Sequence, residues 1–438
     1  MAGFIQRRKL DLLLAIFSNL QYGSLTVTLP DGSTRMFDGA RPGPSADVQF
    51  HSMDAVARLI SDGKMGFCEA VMDGEIDSSS MSCLIELAVM HDEYLTKQMA
   101  ANAWRRISLR LFHGLRRNSK SGSVRNIAYH YDLGNDFYSS WLDSTMTYSS
   151  AVYDRDSDDL STAQRNKYRN LADLADIQPG DHVLEIGCGW GGFAKYAVEE
   201  RGARVTGITI SKEQHDFARK RLADAGLSDR AEVKLIDYRD LEGRFDKIVS
   251  IEMFEAVGQA YWGTYFEAIS SLLKDGGRAA LQAITIEDDA FDEYVRDPDF
   301  IQRYIFPGGM LPSMPRLERP VEDAGLKLME SNGFGLHYAR TLAEWRDRFN
   351  AAWPGLAKDK FDMRFKRMWE LYLSYCEGGF RAGMIDVKQL LFVHNRPTGG
   401  GAAGVPSRAL SPKSILPRGL RPTVSSSTGS APSGGSSM

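Results

Sequence analysis

Apolar positions in the first hundred residues follow the helical period in some segments and alternate as in strands in others. The elements that this pattern predicts are a helix at 4–20, strands at 24–29 and 34–38, and helices at 53–60 and about 81–100. The turn residues Pro30, Asp31 and Gly32 separate the two strands. The pattern therefore predicts a small α+β unit, residues 1–115.

Beyond residue 165, short apolar runs alternate with helical stretches. The predicted strands are 183–186, 205–208, 233–236, 247–251 and 279–284, and the clearest helices between them are 192–201 and 211–225. Strands that alternate with helices in this way form a mostly parallel sheet covered on both faces. We expect a doubly wound, Rossmann-like α/β domain over residues 126–396.

Composition limits the classes of partner and site. A chain of 438 residues exceeds the usual size of a single core, which favours two folded units. Its 53 basic and 57 acidic residues nearly balance, so the global charge says nothing about polyanion binding; a nucleic-acid partner is not expected. The four cysteines form no CxxC pair, which argues against a zinc site or a disulfide framework and favours a reducing cytoplasm.

The segment 97–125 has a charge that the whole chain lacks. It contains eight basic residues and no acidic one, interleaved with Trp104, Leu111 and other apolar side chains. Such a segment suits an anionic bilayer surface, and it equally suits a solvated helix followed by a linker, here 116–125. No run of about 18 apolar residues exists, so we expect any membrane contact to be peripheral, at the inner face.

The last 42 residues, 397–438, form a separate tail. Of these, 24 are Gly, Pro or Ser, which leaves too little apolar surface to offset the entropy of ordering the chain. We predict that this tail is disordered.

A glycine-rich loop carries the first chemical signal. Residues 183–192 read VLEIGCGWGG, in which an apolar strand leads through Gly187, Gly189 and Gly191 into a helix. The GxGxG spacing differs from the GxGxxG of dinucleotide-binding loops, which place a pyrophosphate at the helix N-terminus. It suits a ligand without phosphate, and S-adenosylmethionine is such a ligand.

Side chains near the ends of the following strands complete the predicted cofactor site. Thr209 and Gln214 stand where an acidic residue would normally bind ribose hydroxyls, and Gln214 is the predicted substitute. Asp237 and Tyr238 follow the third strand and are placed to contact adenine. Glu185, in the loop motif itself, belongs to the same predicted site.

Several motifs, joined to this loop, closely resemble the cyclopropane-fatty-acyl-phospholipid synthase family, which includes the mycolic acid cyclopropane synthases. The similarity covers about residues 45–395. Its most specific parts are YHYDLGNDFY at 129–138, MTYS at 146–149, MFEAVG at 253–258, YIFPGG at 304–309 and CEGGFR at 376–381. Residues 66–77 also resemble the family's N-terminal domain, which implies a role in lipid engagement and admits a homodimer.

The resemblance implies a class I methyltransferase that transfers the methyl group of S-adenosylmethionine to a cis double bond in a phospholipid acyl chain. Methylation of an alkene leaves a carbocation, so the site should exclude water and offer π faces. The candidate aromatic residues are Tyr148, Tyr153, Phe254, Tyr304, Phe306 and Tyr338. Of these we expect only Tyr148 and Tyr338 to serve, and Tyr148 with Ser149 is also assigned to the cofactor.

In the family the base is a bicarbonate, held by a Glu, a His, a Tyr and two backbone groups. Glu255 and Tyr338 match the Glu and the Tyr, and Ser150 and Ile284 supply the backbone groups. At the histidine position this chain has Gln282, which can donate through its amide but cannot relay a proton near neutral pH.

The replacement by Gln282 leaves the product open between a cyclopropane and a methyl-branched or methylene fatty acid. Two other functions also remain open at this point. One is methylation of a soluble small molecule at a heteroatom, and the other is a catalytically inactive lipid-binding protein that keeps the fold. The basic segment opposes the first, and the intact glycine loop and Glu255 oppose the second.

Overall fold

The structure is a computed structural model that describes residues 2–98, 133–357 and 361–395. Most of the basic segment, the predicted linker 116–125 and the predicted disordered tail 397–438 therefore lie outside the described residues. So do the first four residues of the motif at 129–138.

The N-terminal unit packs helices against a small sheet. Its elements are α1 (Ala2–Phe17), β1 (Tyr22–Thr28), β2 (Thr34–Asp38), β3 (Arg41–Phe50), α2 (Met53–Met72), β4 (Ile76–Asp77), α3 (Met81–Met90) and α4 (Asp92–Gln98). The sheet order is β2-β1-β3-β4, in which β1 and β3 are parallel and the other pairs antiparallel. Alternate side chains such as Leu25, Val27 and Val48 are buried beneath the helices, as the two-residue period requires.

Several elements of this unit differ from the sequence prediction: β4 was not predicted, and the helix expected at about 81–100 is divided into α3 and α4. Helix α2 continues to Met72, because Gly63 bends it at a φ of 56° without ending it. Strand β3 was not predicted, since Pro42, Gly43 and Pro44 at its start are typical of turns. Its buried second half, which pairs with β1, is the part that behaves as a strand.

The second unit contains the long alternation that the sequence predicted. Its helices are α5 (Asn135–Ser139), α6 (Leu160–Leu174), α7 (Gly192–Arg201), α8 (Lys212–Asp224), α9 (Trp262–Leu272), α10 (Asp288–Arg296), α11 (Met314–Asp323), α12 (Gly335–Leu356) and α13 (Met363–Arg381). Its strands are β5 (His182–Ile186), β6 (Arg204–Thr209), β7 (Ala231–Leu235), β8 (Phe245–Ile251), β9 (Leu273–Ile286), β10 (Leu326–Gly333) and β11 (Ile385–His394).

These strands form one seven-stranded sheet in the order β10-β11-β9-β8-β5-β6-β7. The strands from β9 to β7 are parallel, and β11 runs antiparallel to both of its neighbours. The predicted α/β fold is confirmed. The β10 and β11 strands were not predicted, and β10 is mostly exposed at the sheet edge, so it lacks a regular apolar alternation. The carboxyl ends of β5, β6, β8 and β9 meet at one edge, where ligands bind in such sheets.

Helix α13 connects the two units. A Cβ atom on Gly378 would lie 2.7 Å from the side chain of Ile85 in α3, so the two helices approach as closely as a glycine allows. Arg367 pairs with Asp77 at 2.6 Å, and Arg364 pairs with Asp73 at 2.9 Å. The N-terminal unit is therefore held against the larger unit by close packing reinforced at its rim by ion pairs.

This contact generates a stability prediction. Gly378→Ala should lower the free energy of unfolding by about 1–3 kcal/mol, because the added methyl group overpacks the contact with Ile85. Gly355→Ala in α12 is the matched control, since no atom lies within 4 Å of its new Cβ, and it should stabilise the protein by up to about 1 kcal/mol. Urea denaturation followed by circular dichroism measures both, and equal effects would contradict the close contact.

Candidate active site

The glycine loop follows β5 at the centre of the parallel sheet. Gly187, Gly189 and Gly191 have φ values of 80°, 50° and 78°, a region that other residues rarely adopt. A Cβ on Gly187 would also lie 2.6 Å from the side chain of Met253. The loop needs glycine both for its path and for the narrow space between it and the end of β8.

Glu185 lies on β5 just before the loop and borders a cavity that the loop also lines. Its Oε2 atom is buried and has no hydrogen-bond partner among the residues that the structure describes. Burial raises the pKa of Glu185 well above its ordinary value. An unmatched buried acceptor is costly, so this position fits a ligand that carries a donor, such as the ammonium group of a methionine moiety.

The remaining predicted cofactor residues line the cavity at the ends of β6 and β7. Gln214 accepts a hydrogen bond at Oε1 from the Thr209 hydroxyl at 2.9 Å, which orients its amide. Asp237 is paired with Arg239 at 2.6 Å, a partner that the sequence interpretation did not include. Thr209 therefore fixes the orientation of the Gln214 amide. Gln214, Asp237 and Tyr238 border the space that a nucleoside would fill. Their roles in binding stay predictions.

One cavity of about 1200 Å³ extends from this loop into the N-terminal unit. Its polar end is lined by the glycine loop and the predicted cofactor residues. Most of the side chains that the first unit contributes to the lining are apolar, including Phe17, Leu20, Leu25, Val48 and Phe50, and four are charged: Asp62, Lys64, Asp92 and Glu93. A cavity of this size exceeds the roughly 300–1,000 Å³ of most small-ligand pockets. It offers a polar compartment and a long apolar one in continuous space.

Glu252, in the turn after β8, borders the cavity. The carboxylate accepts hydrogen bonds at Oε1 from the Ser150 backbone N–H and from Gln282 Nε2, both at 2.8 Å. At Oε2 it accepts from the Tyr338 hydroxyl at 2.7 Å. Burial raises the pKa of Glu252 above its ordinary value, which the charge of Lys167 and these hydrogen bonds oppose. Sequence analysis missed this residue.

The amide of Gln282 has a fixed orientation. Gln389 on β11 donates from Nε2 to Gln282 Oε1 at 3.0 Å, so the Gln282 amino group faces Glu252. The same amino group lies 3.4 Å from the Ser150 carbonyl oxygen. Gln282, Ser150 and Tyr338, which the sequence grouped as holders of an external anion, are therefore all bound to an internal carboxylate.

Glu255 lies beside this cluster rather than in it. Its Oε1 accepts from the Ile284 backbone N–H at 2.5 Å, and its Oε2 is buried with no partner in the described part of the chain. Burial and the nearby charge of Glu252 raise the pKa of Glu255 to about 8. Tyr338, which the sequence grouped with Glu255 as a holder of bicarbonate, is hydrogen-bonded to Glu252. Two acids three residues apart in one apolar run were the signal available in the sequence.

Tyr148 and Ser149 both border the cavity. The Tyr148 hydroxyl donates to the Tyr372 hydroxyl at 2.8 Å, and its ring lies 5.2 Å from that of Trp345. Ser149 accepts at Oγ from the fully buried Lys167 ammonium at 2.6 Å. Burial lowers the pKa of Lys167 to about 8, because a charged amine is disfavoured away from water.

The other aromatic candidates divide into two groups. Phe306 lines the cavity, as Tyr148 and Tyr338 do. Tyr153, Phe254 and Tyr304 are not among the lining residues. Tyr304 donates from its hydroxyl to Glu69 at 2.9 Å, and the ring of Tyr153 lies 3.8 Å from the Arg340 guanidinium carbon. These three lie outside the cavity lining, whereas Phe306, which the restriction to Tyr148 and Tyr338 left out, is part of it.

Comparison with known proteins gives a consistent family. The family model described as mycolic acid cyclopropane synthetase matches residues 118–390. The tuberculostearic acid methyltransferase UfaA1 of Mycobacterium tuberculosis is 40% identical over 373 residues, 82% of this chain and 86% of that protein. The cyclopropane-fatty-acyl-phospholipid synthase of Escherichia coli K12 is 38% identical over 349 residues, 79% of this chain and 87% of that protein. The structure of mycolic acid cyclopropane synthase CmaA1 complexed with SAH and CTAB is 31% identical, with a TM-score of 0.56 over 61% of this chain and 97% of that one.

The glycine loop can be tested by ligand binding alone. Gly187→Ala should weaken S-adenosylmethionine binding by at least about tenfold, since its Cβ would displace Met253 and narrow the cavity. Gly180→Ala is the control, because Gly180 also has a positive φ, 90°, but no atom lies within 4 Å of its new Cβ. Isothermal titration calorimetry should show unchanged affinity for the control; comparable losses in both would attribute the effect to backbone strain.

The raised pKa of Glu255 predicts a pH-dependent stability. Between pH 4.5 and 8 the folded protein keeps a proton on Glu255 that the unfolded chain has lost, so its stability falls as pH rises through this range. Glu255→Gln removes this dependence. The free energy of unfolding of the variant, relative to the parent, should increase by on the order of a few kcal/mol from pH 5 to pH 8. Urea denaturation of the variant and the parent at both pH values measures this change. If the difference in their free energies of unfolding were the same at pH 5 and pH 8, the raised pKa of Glu255 would be refuted.

Proposed function

Because the chain belongs to the mycolic acid cyclopropane synthetase family and is an S-adenosylmethionine-dependent methyltransferase, we propose that it methylates a cis double bond in an unsaturated phospholipid acyl chain and forms a cyclopropane. The observation that carries this proposal is the single cavity that joins the glycine loop to the apolar interior of the N-terminal unit. A methyl donor and a long alkyl chain would meet at its centre.

The apolar arm of the cavity supports a lipid substrate. Its lining comes from Phe17 in α1, Leu25 in β1 and Val48 in β3, which are buried and offer no hydrogen-bond partner from their side chains. An alkyl chain gains free energy by leaving water for such a surface, at roughly 25 cal/mol per Å². A polar heteroatom substrate would leave most of this arm without a complementary contact, which disfavours methylation of a soluble small molecule.

The centre of the cavity supports carbocation chemistry. The rings of Tyr148, Phe306 and Tyr338 border it, and each ring has a negative face that stabilises a nearby cation. The bound donor supplies an electrophilic methyl group on a positively charged sulfur. The carboxylate of Glu252 lies among these groups and adds a negative charge where the cation forms.

A second product is favoured by one specific observation. Gln282 occupies the position where the family resemblance implies a histidine, and its amide is already bound to Glu252. A changed base geometry would allow the cation to rearrange by a hydride shift before it loses a proton, which gives a methylene-branched chain. UfaA1, a relative by sequence, is named a tuberculostearic acid methyltransferase. The methylene product is therefore the alternative outcome of the same methyl transfer.

We also propose that the enzyme meets its substrate at an anionic membrane surface. None of the helices within the described ranges is long and apolar enough to cross a membrane. The basic residues of segment 97–125 would supply the attraction, at about 1 kcal/mol for each cation near the surface. Binding to sedimented vesicles that contain phosphatidylglycerol, compared with vesicles of phosphatidylcholine alone, tests this part separately.

Product analysis tests the proposed function. The full chain is incubated with S-adenosylmethionine and vesicles of a cis-unsaturated phospholipid, and the extracted lipid is examined by proton NMR. We expect high-field ring protons together with loss of the vinylic signal of the substrate. Mass alone is insufficient, because a cyclopropane and a methylene branch are isomers.

The alternatives give different spectra. New exocyclic vinylic signals would show that the product is the methylene-branched chain and not the cyclopropane. The lipid would remain the substrate. Unchanged lipid, with tight binding of S-adenosylmethionine in calorimetry, would contradict lipid methylation. Unchanged lipid without such binding would instead indicate an inactive lipid-binding protein.

A further inference from the structure

We infer that the carboxylate of Glu252 is itself the base of the reaction, built into the chain at the place where an external anion such as bicarbonate would otherwise be held. The inference rests on the proposed function and deepens it, since it names the group that receives the proton. The resemblance implied a bicarbonate held by Glu255, Tyr338, residue 282 and two backbone groups. The structure does not fit that arrangement.

The donors that an anion would need are already used. The Ser150 N–H, the Gln282 amino group and the Tyr338 hydroxyl all donate to Glu252 at 2.7–2.8 Å. The Ile284 N–H donates to Glu255 instead. A second anion would have to displace the Glu252 carboxylate from these donors and then lie beside it, where two negative charges repel each other.

Glu252 keeps room for a proton. A carboxylate offers about four acceptor positions, and three of them are filled here. The side chain borders the cavity, and its fourth acceptor position has no donor among the described residues. Burial raises its pKa above the ordinary value, which makes it a stronger base than a carboxylate in water.

The backbone at this residue is independent support. Glu252 has a φ of 48°, in the left-handed region where a side chain costs about 1–2 kcal/mol and glycine costs little. Only two other non-glycine residues in the described ranges share this property, Met146 and Asp176. Strain of this kind persists where the surrounding structure holds a side chain for a purpose. Glycine would remove this strain, but it would leave the three donors without a carboxylate.

Neighbouring groups position the carboxylate without competing for the proton. Gln389 fixes the amide of Gln282, which then presents a donor to Glu252 and has no basic site of its own. Burial and the charge of Glu252 raise the pKa of Tyr338 well above its ordinary value, so its hydroxyl stays protonated and donates. Glu255, whose pKa is raised to about 8, already holds a proton at neutral pH, so the proton accepted from substrate goes to Glu252.

The reaction transfers one methyl group to the alkene and one proton to the protein. The π pair of the alkene forms a bond to the methyl carbon while the methyl–sulfur bond breaks, and its electron pair stays on sulfur. The neighbouring alkene carbon becomes a cation. A C–H bond of the new methyl group then breaks, its pair closes the ring onto the cation, and the proton goes to the Glu252 carboxylate. The carboxylic acid returns this proton to solvent before the next turnover.

The decisive variant is Glu252→Gly, assayed in carbonate-free buffer and with added sodium bicarbonate. The parent enzyme should have the same rate in both buffers. The variant should lose about 10²–10⁴-fold in rate without bicarbonate, the usual contribution of a general base. Its emptied donors should bind bicarbonate, so the rate should recover with saturating dependence on the added anion.

Two controls separate loss of the base from loss of the fold. Glu252→Gly relieves the backbone strain but leaves three buried donors without their acceptor, so the control is a cooperative urea transition whose midpoint rises when bicarbonate is added. It should also bind S-adenosylmethionine with the parent's affinity in calorimetry. Glu255→Ala is the matched carboxylate control, since it frees only the single Ile284 donor, and bicarbonate should not restore its activity.

A binding measurement does not depend on turnover. Carbon-13 NMR with labelled bicarbonate should show line broadening with Glu252→Gly and none with the parent. Broadening with the parent, a bicarbonate requirement of the parent, or full activity of Glu252→Gly without the anion would overturn the inference. Absence of any methylated lipid from the parent in either buffer would count against the proposed function. The carbon-13 measurement would still show whether the Glu252 carboxylate occupies the site that bicarbonate would otherwise bind.

Discussion

A carboxylate that leaves bulk water must find donors within the protein, and Glu252 finds them on three separate elements. Ser150 comes from the loop before α6, Gln282 from β9 and Tyr338 from α12. Removing an ion from water without such partners costs several kcal/mol, so each element is held where its donor reaches the carboxylate. The interaction thus sets the distance between the end of the parallel sheet and the helices that cover it. The cavity keeps its shape at this point.

The lining of the cavity differs in polarity between the larger unit and the N-terminal unit. In the larger unit, the Oε2 atom of Glu185 and the backbone of the glycine loop are available to a polar ligand. In the N-terminal unit, the sheet lines the space with apolar side chains. The contact of Gly378 with Ile85 keeps that unit against the larger one, and so keeps the apolar arm continuous with the polar end. The fold of the smaller unit therefore contributes directly to the chemistry proposed for the larger one.

The parallel sheet, the glycine loop and most strands could be predicted from sequence, because buried strands read as apolar runs and glycine marks a turn that no other residue makes. Strand β3 and the exposed strand β10 could not, since prolines and polar side chains hide their period. Among site residues, Gln282 and Tyr338 were recognised individually. Their common partner was not, because Glu252 and Glu255 are both acids in one apolar run and only their backbone angles and neighbours distinguish them.

Gln282 is a suitable neighbour for a carboxylate that acts as a base, because its amide donates a hydrogen bond to Glu252 and does not titrate. A histidine beside an internal carboxylate would form an ion pair and could take the proton itself, which would weaken the carboxylate as a base. A glutamine amide donates without titrating, and Gln389 determines which of its ends faces the acid. The Gln282 hydrogen bond and the charge of Lys167 lower the pKa of Glu252, but burial outweighs them and keeps that pKa above its ordinary value. A change from imidazole to amide, which at first suggests lost function, is what a carboxylate base requires of its neighbour.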